Sequence, residues 1–82
     1  MAKLTIKTVL SEEELNKRAS EVFDLQEDDY IYDVSVIDGQ VFVNMQELDK
    51  SGQFVIFDYQ PDMTDRPEAL DYLLGLKDDF ND

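Results

Sequence analysis

Asp38 and Gly39 sit between two runs of alternating apolar residues, and this short stretch constrains the fold more than any other part of the chain. Asp-Gly supplies a two-residue hairpin turn of the kind that needs positive φ at both positions, a conformation most residue pairs do not tolerate. From Tyr30 the pattern has a period of two. It places Tyr30, Tyr32, Val34 and Val36 on one face and Ile31, Asp33, Ser35 and Ile37 on the other. With Asp38-Gly39 as the loop, Val36 falls opposite Val41, Val34 opposite Val43 and Tyr32 opposite Met45. These are apolar pairs on one face, so turn chemistry and hydrophobic pattern specify the same register.

The flanking segments extend this hairpin in both directions. Leu4 to Val9 is rich in β-branched residues and reads as a short strand. Ser11 with Glu14 three residues later forms a capping box, and Leu10 and Leu15 occupy the two positions of a hydrophobic staple. A helix is therefore expected to start at Glu12. Its apolar stripe is Leu15, Ala19, Val22 and Phe23, ending before the acidic stretch from Asp24 to Asp29. Beyond the hairpin, a polar segment from Gln46 to Gly52 precedes Gln53 to Tyr59, the expected third strand of a meander. Pro61 and Asp62 end that strand. Asp65 with Glu68 suggests a second cap, and Leu70, Leu73, Leu74 and Phe80 form the stripe of a second helix, weakened by about 1 kcal/mol at Gly75.

The expected fold is one small α+β domain spanning all 82 residues. Its order is β-α-β-β-β-α, in two layers, with a mostly antiparallel sheet of three to four strands and two helices. If the helices cover the face carrying Tyr32, Val34, Val36, Val41, Val43, Val55 and Phe57, the opposite face is open. Ile31, Asp33, Ser35, Phe42, Phe54, Ile56 and Asp58 then lie on that face, an apolar patch edged by acids. The alternatives are one helix on each face, or a C-terminal segment folded over the patch.

Charge narrows the function classes. Asp and Glu number 20 against 7 Lys and Arg, a net charge of −13. With 43% hydrophobic residues, five Phe and four Tyr, the chain is nevertheless too apolar to stay disordered. Nucleic acid and anionic membranes both demand a cationic footprint, so neither is an expected direct ligand. No stretch approaches the length of a transmembrane segment, and a cytoplasmic location is expected. The chain has no Cys and no His, which removes disulfides, thiolate metal sites and the commonest general base. No Ser lies in a nucleophile-elbow pattern; Ser11 and Ser51 read as a helix cap and a turn residue. An enzyme is not expected, nor a cofactor. Neither Asp24 to Asp33 nor Asp58 to Asp65 follows the spacing of a calcium loop, and no dedicated metal site is expected.

The acids are unevenly distributed. Residues 1 to 23 are electrically balanced, and the whole excess lies in residues 24 to 82. Glu12, Glu13 and Glu14 suit the first turn of a helix, where the macrodipole favours negative charge. Asp24, Glu27, Asp28 and Asp29 follow the end of the first helix, and Asp78, Asp79 and Asp82 the end of the second, where cations are preferred. Acids placed against the local rule are candidates for function; the ordinary alternative is a set of solvated loops and a frayed tail. In size, acidity and mixed α/β make-up the chain resembles the small inhibitors of DNA-handling enzymes made by bacteriophages, such as the uracil-DNA glycosylase inhibitors, and the barstar-type nuclease inhibitors. The resemblance rests on composition alone and carries over no residue. It implies a DNA-mimicking binding module that docks on a basic protein, such as a nucleic-acid-binding enzyme. The candidate contact residues are Asp24, Glu27, Asp28, Asp29, Asp58, Asp62, Asp65, Asp78 and Asp79. The alternative is a non-enzymatic accessory protein that self-associates, as a homodimer for example, through Ile31, Phe42, Phe54 and Ile56 on the open face.

Overall fold

A computed structural model describes residues 4–79. The elements are β1 (Thr5–Lys7), α1 (Glu12–Val22), β2 (Tyr30–Ile37), β3 (Gln40–Leu48), β4 (Phe54–Tyr59) and α2 (Pro67–Leu74). The four strands form one antiparallel sheet in the order β1-β2-β3-β4, and both helices pack on the same face of it. This is the β-α-β-β-β-α two-layer α+β fold expected from the sequence. The core lies between helices and sheet. Leu15, Ile31, Val34, Val43 and Leu73 are its largest fully buried side chains.

Local chemistry accounts for most element boundaries. Asp38 and Gly39 adopt φ of 54° and 84°, and Val36 pairs with Val41 and Val34 with Val43 as the hairpin register requires. Ser11 caps α1, its side-chain oxygen accepting from the Glu14 amide at 3.3 Å. The capping box is only half formed, because the Glu14 carboxylate turns forward to Arg18 Nε at 2.8 Å. The second expected cap does not form at all. Asp65 is bypassed, Arg66 occupies the N-cap without a side-chain bond, and Pro67, whose missing N–H costs nothing there, opens α2. Phe80, expected at the end of the α2 stripe, lies outside the described residues.

Three expectations about side-chain placement need correction. First, β2 contains a bulge between Ile31 and Asp33. Tyr32 is the extra residue, so Ile31 rather than Tyr32 pairs with Met45. Ile31, expected on the open face, is fully buried, whereas Tyr32 stays half-buried and donates to Gln46 Oε1 at 2.8 Å. The physical reason is Asn16 of α1. Its Oδ1 accepts from the Ile31 amide and its Nδ2 donates to the Ile31 carbonyl, both at 2.8 Å, as a neighbouring strand would. Second, Val55 is not sealed by the helices. It is 39% exposed, because both helices rest chiefly over β2 while β4 lies beyond them. Third, Gly75 does not interrupt α2. It ends the helix in a left-handed conformation with φ of 84°, and a Cβ there would come within 2.7 Å of Val9 Cγ2.

The end of α2 is fully satisfied. The Asp71 carbonyl accepts from Leu76 and Lys77, the Tyr72 carbonyl from Gly75 and Arg18, the Leu73 carbonyl from the Thr8 hydroxyl, and the Leu74 carbonyl from Val9. Arg18 also stacks over the Tyr72 ring at 4.6 Å, and the Tyr72 hydroxyl donates to Glu21 at 2.6 Å, tying α1 to α2.

Two stability measurements test this account. Asn16→Ala strands both polar groups of Ile31 and is expected to lower the urea-unfolding free energy by about 2 kcal/mol or more. Gly75→Ala and Gly39→Ala both place Cβ at positive φ, for about 1 kcal/mol each, but only Gly75 meets a neighbour. The loss at Gly75 is therefore expected to be the larger, and equal losses would contradict the close approach of Val9.

Candidate functional site

The structure divides the nine carboxylates singled out by the sequence. Asp24 and Asp29 converge on one cleft of about 580 Å³, which opens between the end of α1, β3 and β4. Its apolar lining comes from Val22, Phe23, Leu25, Met45, Phe57 and Tyr59. Its third carboxylate is Glu47, which sequence reasoning assigned to a polar connection. The usable signal was the alternation Val41, Val43, Met45, which continues to Glu47 on the same face of β3. Two of the lining side chains touch: the Phe23 ring meets the Tyr59 ring edge-on at 6.0 Å between centroids.

The loop that carries Asp24 and Asp29 folds on itself. Asp29 Oδ2 accepts from the Gln26 amide at 2.8 Å, and the Asp29 amide donates back to the Gln26 carbonyl at 3.0 Å. Glu27 and Asp28 lie exposed at the tip of this turn, outside the cleft lining. The remaining acids are elsewhere. Asp58 is exposed on the sheet face away from the helices, where Asn44 Nδ2 donates to it at 3.1 Å. Asp62 lies in a second cleft at the hairpin end of the sheet, with Gly39, Gln40 and Val41. Asp65 precedes α2 and is exposed, as are Asp78 and Asp79 beyond it.

Asp62 also has a local task. Asp62 accepts from the Thr64 amide and hydroxyl, which hold its carboxyl below the usual carboxylate range. Arginines offset the unfavourable placement of acids after the two helices. Neither last turn contains a base. Arg66 donates to the Val22 carbonyl at 3.3 Å at the end of α1, and Arg18 donates to the Tyr72 and Lys77 carbonyls at 2.9 Å at the end of α2. Both cations come from distant parts of the chain, which sequence-local rules do not register.

The expected open-face residues also separate. Ile31 belongs to the core, and Phe42 is half-buried beside the buried Ser35. Phe54 and Ile56 remain, 57% and 63% exposed, opposite Leu48 and Gln46. On the other face of the same strand Val55 and Tyr59 are also exposed. β4 therefore presents apolar side chains on both faces, with the three-carboxylate cleft along its inner side.

Among the described residues, no group of three or more acidic side chains is placed to share a metal ion, and no helix is long and apolar enough to cross a membrane. Comparisons with protein-family models, curated proteins and solved structures found no match to this chain.

The loop entering β4 gives a pH test. Asp49 Oδ1 accepts from the Ser51 hydroxyl at 2.6 Å, the Ser51 amide at 2.9 Å and the Gln53 amide at 3.0 Å. These bonds, the hydroxyl foremost, lower the Asp49 pKa. A depressed folded-state pKa contributes stability that is present above the unfolded value and is lost as the pH falls through the folded one. Thermal melting as a function of pH is therefore expected to show an acid limb below the ordinary carboxylate range. Asp49→Asn is expected to make that limb shallower; an unchanged limb would show that Asp49 does not hold the loop.

Proposed function

We propose that this domain is a non-enzymatic protein-binding module that docks on the basic surface of another protein, of the kind that binds nucleic acid. The observation that carries the reading is the cleft lined by Asp24, Asp29 and Glu47 together with six apolar side chains, beside the exposed side chains of β4. Interfaces combine an apolar centre with a polar rim, and this face has both. Carboxylates on a fixed frame can occupy positions that suit phosphates on the partner, and a net charge of −13 speeds encounter with a cationic surface. DNA mimicry and inhibition are the narrower form of this reading, in which the domain competes with nucleic acid for one site. Self-association through Phe54 and Ile56 would use some of the same apolar surface, but it brings two strongly anionic copies together.

The test is a binding series on immobilised domain with a panel of purified basic nucleic-acid-binding proteins. A true partner is expected to bind at low salt, to weaken steeply as salt rises, and to be displaced by its own nucleic acid. The triple change Asp24→Asn, Asp29→Asn and Glu47→Gln is expected to weaken binding by roughly tenfold or more, about 1.4 kcal/mol. Binding that ignores salt and survives the triple change would overturn the proposal.

A further inference from the structure

β4 is an edge strand, and its outer side is unpaired. Among the described residues, its main-chain bonds run to β3, and none reaches it from another element. Folded proteins usually blunt such edges with Lys, Pro, a bulge or a very short strand. The opposite edge follows that rule, since β1 has three residues and ends in Lys7. β4 does so only at Asp58. Its six residues, Phe54 to Tyr59, contain no Lys, Pro or Gly, carry that one charge next to their C-terminal end, and pair with β3 without a register shift. Both faces expose apolar side chains, Phe54 and Ile56 on one, followed there by Asp58, and Val55 and Tyr59 on the other.

We propose that the free edge of β4 is a strand-addition site, which takes an extended, basic segment of the partner as a fifth strand of the sheet. The inference rests on the binding-module reading and specifies its geometry. An added strand alternates its side chains between the two faces. On the inner face, alternate positions point toward the cleft, where a Lys or Arg stem can lie on Phe57 and Tyr59 with its charged head near Asp24, Asp29 and Glu47. On the outer face, the intervening positions that meet Phe54 and Ile56 are apolar, and only the one beside Asp58 meets a charge. The occupant is thus a segment in which basic and apolar residues alternate. Charge complementarity selects it over a second copy of this chain, whose excess of acids would be repelled.

The test uses synthetic peptides of about eight residues, near the length of β4, so that the domain itself is unaltered. One alternates Lys with Val, a second holds the same residues as a Lys block and a Val block, and two more are N-methylated versions of the first. Backbone N-methylation at alternate residues blocks hydrogen bonding along one edge of an extended peptide. Methylation of the edge that faces β4 is expected to weaken binding by roughly tenfold or more, while methylation of the opposite edge leaves it near the parent value. The block peptide is expected to bind more weakly than the alternating one, and amide exchange in β4 is expected to slow only with the alternating peptide. Salt-dependent binding that treats all four peptides alike, with no protection in β4, overturns strand addition while the acidic-docking reading stands. If no basic peptide binds and the panel of basic proteins fails as well, both readings fall. A peptide-free domain that sediments as a dimer, with β4 already protected, would make the second copy the occupant and overturn the proposal.

Discussion

The rest of the structure depends on how the end of α2 is satisfied. A helix of eight residues leaves half its carbonyls without intrahelical partners, and buried carbonyls without partners are costly. Here each is met by a group from elsewhere in the fold or from the turn that follows the helix. Thr8 and Val9 come from the segment leaving β1, Arg18 from α1, and Gly75 turns the chain back so that Leu76 and Lys77 close the last turn. The same contacts set the spacing between the two helices and hold the N-terminal segment against them. Arg18 has the widest role, because it also pairs with Glu14 and lies over Tyr72.

A second cross-link acts between layers. Asn16 gives the Ile31 main chain the two bonds a strand would give, so α1 is fixed to β2 at a defined point. That attachment coincides with the bulge at Tyr32, and the bulge decides which residues of the first half of β2 face the helices. Both helices consequently gather over β2, and β4 is left with side chains only partly covered from within. The exposed edge and the cleft beside it therefore follow from how the layers are joined. They are not properties of β4 by itself.

Much of the candidate site was legible in part. The acidic loop after α1 was visible as charge set against a helix dipole, and two of its members, Asp24 and Asp29, do line the cleft. Glu47 was hidden because its segment read as polar connection, although β3 continues through it to Leu48. Asp58, Asp62, Asp65, Asp78 and Asp79 were grouped with the loop on composition, and the fold disperses them. Ile31 was misplaced because a period of two cannot register one extra residue, and a single insertion moves a side chain to the opposite face.

The sequence by itself determined the order of the elements, the start of α1 at Glu12 behind its Ser11 cap and the hairpin loop at Asp38-Gly39. These features depend on backbone sterics and on hydrogen bonds between residues a few positions apart, so the information is local. Only the tertiary structure decided that Ile31 is core, that Gly75 is a terminus rather than a defect, and that Asp24, Asp29 and Glu47 share a cleft beside an open strand. Each of those outcomes turns on groups far apart in the chain, such as Asn16 with Ile31, Val9 with Gly75, and the loop after α1 with β3 and β4. Long-range contacts of this kind set which face is buried, and no local pattern encodes them.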